Sequence, residues 1–240
     1  MVKIKICGLK EEKDVEFLNK FLVDYIGFIM YPKSPRYVKE KLKELLSLVK
    51  KAKKVVVFVN PTYEEVKEAL NYGADLIQLH GEETPEFAKK IGLERVIKAF
   101  KVKENKLNFE ELSFWKDAYG ILLDTYVKGI PGGTGKTFNW DIAKKVVSLG
   151  YKVFLAGGID PQNILEAIRE VSPYAIDIAS GVELYPGKKD PQKIEKLFKN
   201  LKIKKLEIIP CRNYRNYRTF SKRKGILIKN LIISFNFSFA

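Results

Sequence analysis

Along most of the chain, short apolar runs rich in β-branched residues alternate with segments of helical periodicity. The runs cover residues 2–7, 25–30, 55–59, 76–79, 96–100, 120–123, 153–156 and 175–178. Amphipathic helical patterns fall between them at 11–20, 39–51, 62–72, 85–91, 142–149 and 162–170, with a weaker one near 107–114 and a last one at 191–201. VVVFV and similar runs have no polar alternation, which suits parallel strands covered on both faces. Two helices are predicted to start from a capping side chain ahead of a proline, Asn60-Pro61 and Asp160-Pro161. Eight strands each followed by a helix is the count of a (β/α)8 TIM barrel, so an α/β barrel over residues 1–201 is the expected fold. An open doubly wound sheet is the structural alternative. Residues 202–240 stand outside the repeat as a C-terminal extension.

Composition narrows the class. With 46% hydrophobic and 30% charged residues in 240, the chain is a globular domain rather than a disordered, collagen-like or coiled-coil protein. No apolar run approaches the roughly 20 residues of a membrane-spanning helix. MVKIKICGLK enters an alternating pattern directly, without a signal-peptide core. Two cysteines, Cys7 and Cys211, make no disulfide framework and point to a reducing cytoplasm. The net charge of +15 would suggest nucleic acid if it were spread evenly, but residues 202–240 carry ten basic residues and a single acid, Glu207. Any nucleic-acid affinity therefore belongs to the tail, where RNYRNYR (212–218) interleaves Arg and Tyr in a pattern able to pair phosphates and stack on bases. ISFNFSF (233–239) alternates like a strand, which a closed barrel has no edge to accept.

In a barrel of this kind, chemistry gathers where strands end. The polar residues at those positions are Cys7, Arg36, His80 and Asp124, joined by Gly157-Gly158 and Ser180-Gly181. Each has a structural reading of its own: a cysteine as a small buried hydrophobe, a histidine satisfied in the core, an aspartate as a cap. Arg36 is the exception in its composition, because only three arginines precede residue 211 in a chain that otherwise uses Lys. A planar fork in the proline-rich loop YPKSPRY suggests recognition of a carboxylate or phosphate. GIPGGTGKTF (129–138) misses the Walker spacing by one residue and reads as an active-site loop. LAGGID (155–160) and IASGVE (178–183) place glycine-rich turns after the last two strands, where backbone amides can approach a phosphate.

Taken together, the segments KICGL (5–9), FIMYPKSPRYV (28–38), VVVFVN (55–60), IQLHG (77–81), LLDT (122–125), GGTGKTFNW (132–140), LAGGI (155–159), DIASGVE (177–183) and PGKKD (186–190) resemble the phosphoribosylanthranilate isomerases of tryptophan biosynthesis. The resemblance implies a (β/α)8 barrel performing an Amadori rearrangement of N-(5-phosphoribosyl)anthranilate to 1-(2-carboxyphenylamino)-1-deoxyribulose 5-phosphate. By the same resemblance, Cys7 matches the general base and Asp124 the general acid. Arg36 matches the receiver of the anthranilate carboxylate, and His80 a residue of the site wall. Gly157, Gly158, Asp177, Ser180 and Gly181 fall in the segments that hold the rest of the substrate, with Gly158 and Ser180-Gly181 matching the phosphate cradle. Ala179 departs from the pattern, standing where relatives carry a second serine before Ser-Gly.

The family implies no metal and no cofactor, a small phosphoribosyl substrate, a monomer or homodimer, and no membrane association. The chemistry is consistent with this. Opening the furanose needs a proton delivered to the ring oxygen, and the isomerisation needs one removed from C2′. The acid must begin protonated, which desolvation or acidic neighbours would favour, and the thiol must reach its thiolate, which nearby positive charge would favour. A related barrel that isomerises an aminoimidazole ribonucleotide would be expected to use two aspartates, and Cys7 argues against it.

Overall fold

The computed structural model describes residues 1–102, 106–124 and 140–207. The loop at 129–138 and the tail segments 212–218 and 233–239 lie outside the described residues. Eight parallel strands close into a barrel in chain order: β1 (Lys3–Cys7), β2 (Tyr25–Ile29), β3 (Lys53–Phe58), β4 (Leu76–Leu79), β5 (Val96–Lys101), β6 (Gly120–Asp124), β7 (Val153–Ala156) and β8 (Ala175–Ile178). The outer layer is α1 (Glu12–Leu18), α2 (Leu42–Leu48), α3 (Tyr63–Asn71), α4 (Pro85–Ile91), α5 (Phe109–Ser113), α6 (Asp141–Ser148), α7 (Ile164–Val171) and α8 (Pro191–Glu207). The predicted barrel is the observed one, with the helix from Pro191 continuing to Glu207.

Strand alternation separates two apolar layers. Ile4, Ile6, Ile26, Phe28, Val56, Phe58, Leu123, Leu155 and Ile176 face outward into the core shared with the helices. Tyr25, Val55, Leu76, Ile97, Leu122, Phe154 and Ala175 face inward and fill the barrel. Since successive side chains point to opposite faces, the inward register that runs through Leu76 and Leu122 also carries Gln78, His80 and Asp124 toward the open end. On β1 the same register carries Lys5 and Cys7. The opposite end is closed by a plug of aromatics. Tyr25 Oη lies 2.8 Å from Tyr119 Oη and 3.1 Å from Tyr174 Oη, and Phe154 packs edge-on to Tyr25 at 5.3 Å.

Two helix starts differ from the sequence expectation. The cap of α3 is Thr62, whose hydroxyl accepts from the Glu65 amide while the Glu65 carboxylate accepts from the Thr62 amide. That reciprocal pair satisfies two otherwise orphaned helix donors. Asn60 instead accepts from the Glu82 amide at 2.7 Å, tying the loop after β3 to the loop after β4. Asp160 does accept from the amides of Gln162 and Asn163, yet α7 begins only at Ile164, after Asn163.

The sequence pattern also missed a hairpin of β9 (Glu183–Tyr185) and β10 (Lys188–Lys189) beyond β8. Each strand is too short to show a hydrophobic period. Tertiary contacts hold it: Lys188 Nζ pairs with Asp14 and Glu11, and the Lys189 amide donates to Asp14 Oδ2 at 3.0 Å.

Candidate functional site

The open end of the barrel brings together residues from nearly the whole described chain. Cys7 closes β1, which lies three strands from β6 and its terminal Asp124 around the ring of eight. The thiol and the carboxyl group therefore rise from opposite sides of the mouth. Cys7 is buried, with 5% of its surface exposed. Its partner across the β1–β2 ladder is Gly27, where a Cβ would stand 2.6 Å from the Cys7 sulfur, so only glycine leaves room for the thiol in its present rotamer.

Three basic side chains, Lys5, Lys189 and Arg36, interact electrostatically with that thiol. Lys5 Nζ, fully buried, pairs with Asp177 Oδ2 at 2.9 Å. Lys189 Nζ, also buried, donates to the Cys7 carbonyl at 2.6 Å and to Glu183 Oε1 at 2.9 Å. Arg36 meets the same Glu183 carboxylate with two nitrogens, Nε to Oε1 at 2.9 Å and Nη2 to Oε2. Burial pushes the Cys7 thiol up from its ordinary range, while Lys5, and behind it Lys189, pull in the opposite direction. Burial also raises the cost of the Glu183 charge, but Arg36 and Lys189 outweigh it and hold this carboxyl below the usual carboxylate range.

The fork of Arg36 is thus half used. Glu183 takes the Nε–Nη2 edge and fixes the guanidinium plane, leaving the Nη1–Nη2 edge outside that pair. Glu183→Gln is expected to loosen Arg36, raising KM about tenfold with kcat little changed. Steady-state kinetics would check this, and an unchanged KM would remove the positioning role.

On the far side of the mouth, His80 Nε2 lies 3.6 Å from Asp124 Oδ2. Gln78 Nε2 lies 3.1 Å from His80 Nδ1. The imidazole thus stands between Gln78 and Asp124.

After β7 and β8, the glycine-rich turns lie side by side. Gly157 and Gly158 have φ of +89° and +64°, conformations that a side chain would strain. Gly181 packs directly on the Ile159 carbonyl, where any Cβ would collide. Ser180–Val182 forms one turn of 3-10 helix, with Ser180 exposed at the rim.

Most candidates from the sequence thus meet at one mouth: Cys7, Arg36, His80, Asp124, Gly157, Gly158, Ser180 and Gly181. Asp177 differs, since its carboxylate lies inside the barrel against Lys5. Among the described residues, Asp177 Oδ1 and Gln78 Oε1 are buried side-chain acceptors with no protein donor. Sequence reasoning gave no role to Lys5, Gln78, Glu183 or Lys189. Lys5 and Gln78 were detectable as polar residues in otherwise apolar strands, whereas Glu183 and Lys189 depend on the hairpin.

A family model described as N-(5'phosphoribosyl)anthranilate (PRA) isomerase matches residues 4–200. The chain belongs to this family. It is 52% identical over 205 residues to the N-(5'-phosphoribosyl)anthranilate isomerase of Aquifex aeolicus, covering 84% of this chain and 99% of the relative. With the Trichlorobacter lovleyi enzyme of the same name the identity is 40%, covering 84% and 98%. Among solved structures, phosphoribosyl anthranilate isomerase from Thermotoga maritima superposes with a TM-score of 0.74 at 37% identity, covering 84% of this chain and 99% of that one. Another structure of the enzyme, at 34% identity and a TM-score of 0.72, covers 84% and 99% and is a complex with reduced 1-(o-carboxyphenylamino)-1-deoxyribulose 5-phosphate. A Thermotoga maritima structure at 36% identity, with a TM-score of 0.71 and the same coverage, consists of monomers generated from a dimeric form.

Proposed function

We propose that this chain carries out the activity of its family, isomerising N-(5'-phosphoribosyl)anthranilate, with Cys7 as general base and Asp124 as general acid. The observation that carries the assignment is the placement of these two groups on opposite sides of one barrel mouth, between an arginine fork and two glycine-rich turns. Asp124 would deliver a proton to the furanose oxygen as the ring opens. The Cys7 thiolate would then take the proton from C2′, and the resulting enolamine would settle as the ketone. Burial makes the thiolate a stronger base than it would be in water, which matches the demand of a carbon acid. His80, beside Gln78 and 3.6 Å from Asp124, would steady its carboxylate once the proton has left.

Substrate ends and middle have separate receivers. The free edge of Arg36 suits the anthranilate carboxylate, and the amides around Gly158 and Ser180-Gly181 suit the phosphate. Asp177 Oδ1, a buried acceptor without a donor, is suited to a ribose hydroxyl. Clamping both ends positions the sugar between acid and base and removes much of the entropic cost of reaction. A monomer and a homodimer both leave this mouth complete, because every residue named comes from one chain. No helix among the described residues is long and apolar enough to cross a membrane, and a reducing cytoplasm suits a mechanism that needs Cys7 as a free thiol.

Freshly prepared phosphoribosylanthranilate should lose its fluorescence on mixing with the protein, while the aminoimidazole ribonucleotide should turn over far more slowly. Turnover of the imidazole substrate alone would overturn the reading.

A further inference from the structure

The interior of this barrel contains a charged pair set against an inward-facing apolar cluster of Tyr25, Val55, Leu76, Ile97, Leu122, Phe154 and Ala175, with Gln78 also buried and polar on that face. Lys5 and Asp177 face each other across the β1–β8 ladder, and Lys5 has no exposed surface. Burying two charges is costly before their attraction is counted, and well-packed apolar residues of equal volume often serve stability as well or better. The pair is also incomplete as a stabilising device, since Asp177 Oδ1 finds no protein donor. A reason other than stability is needed, and position supplies it. Residues 5 and 7 of β1 share the inward face, so the Lys5 ammonium lies one layer beneath the Cys7 thiol.

We propose that Lys5 is the positioning residue for the Cys7 base, its ammonium holding the negative charge of the thiolate from below while Asp177 keeps the ammonium in place. The proposal rests on the assignment of Cys7 as the base. Lys5 remains protonated throughout; in the step that Cys7 performs, the C2′ proton passes to sulfur and the electron pair of the broken C–H bond enters the enolamine, while the proton given to the furanose oxygen comes from Asp124.

The other charges around Cys7 are already engaged. Lys189, on β10, spends its three donors on the carbonyls of Cys7 and Ala179 and on Glu183. Arg36, from the loop after β2, is tied to Glu183 on β9. Asp177, from β8, opposes the thiolate but is neutralised by Lys5. The directions of titration fit: burial disfavours the Lys5 charge, yet Asp177 and Cys7 together raise its affinity for the proton above the ordinary value.

The test uses the full chain with Cys211→Ser, so that the thiolate absorbance reports Cys7 alone. In that background, Lys5→Met is expected to move the Cys7 titration upward by about one pH unit or more, with the pH profile of kcat following it. At neutral pH kcat should fall on the order of tenfold, while KM stays within about twofold. The paired variant Lys5→Met/Asp177→Asn, which leaves no lone buried carboxylate, should show a smaller upward shift, and it decides the matter if the single variant does not fold. A Cys7 titration unmoved in a folded variant would overturn the proposal. Failure of both variants to fold would assign the pair to packing and overturn it as well. If instead the titration moves while Cys7→Ser retains turnover, the electrostatic inference stands and the assignment of the base falls.

Discussion

Replacing Asp124 with asparagine is expected to lower kcat by about a thousandfold, within the range for loss of a positioned acid. Asparagine keeps the shape of the side chain, so the fold and the substrate clamps should survive. What disappears is the transferable proton, without which the furanose C–O bond must break toward an unprotonated alkoxide. The effect should therefore fall on kcat and kcat/KM together, with affinity for a product analogue such as the reduced ligand of the solved family complex nearly unchanged. Calorimetric titration with that analogue, beside turnover assays, separates the two quantities. Normal turnover in a folded Asp124→Asn protein would remove the acid from the mechanism.

Cys7→Ser is the second large effect, expected to lower kcat by about a hundred- to ten-thousandfold. Serine fits the space left by Gly27, so packing changes little, but a hydroxyl is far too weak an acid to supply its conjugate base near neutral pH. In the native protein, burial places the thiol above its ordinary value and the neighbouring lysines lower it again. The working thiolate is thus lost as pH falls, and kcat/KM should rise with pH along the acidic limb until the thiol is fully ionised. Its absence in Cys7→Ser would assign that limb to the thiol. Full activity in Cys7→Ser would instead move the role of base to another group.

Much of this site could be read from the chain because its residues sit at fixed positions on regular elements. Cys7 ends a strand, as does Asp124, and His80 follows one. Where an inward-facing strand runs out, the topology alone delivers its last side chain to the mouth. The glycine turns at 157–158 and 180–181 were legible for a similar reason, since a strand that ends in glycine exposes backbone amides. The start of α3 was less legible. Asn60 and Thr62 are both competent caps, and only the partner loop at Glu82 decides which of them is drawn away.

The apolar rhythm of the chain was enough to determine eight strands and the residues at their ends, because burial of alternating faces is a local rule repeated eight times, while the closed order rather than an open sheet is a property of the folded ring. Tertiary structure decided which charges meet. Lys5 and Asp177 are 172 residues apart, Arg36 and Glu183 are 147 apart, and no periodicity in either segment specifies its partner. Those pairings follow from closure of the ring, which places β8 beside β1 and folds a short hairpin back over the arginine loop. The side chains that do chemistry are written along the strands; the electrostatic setting that makes a thiol into a base exists only once the first and last strands touch.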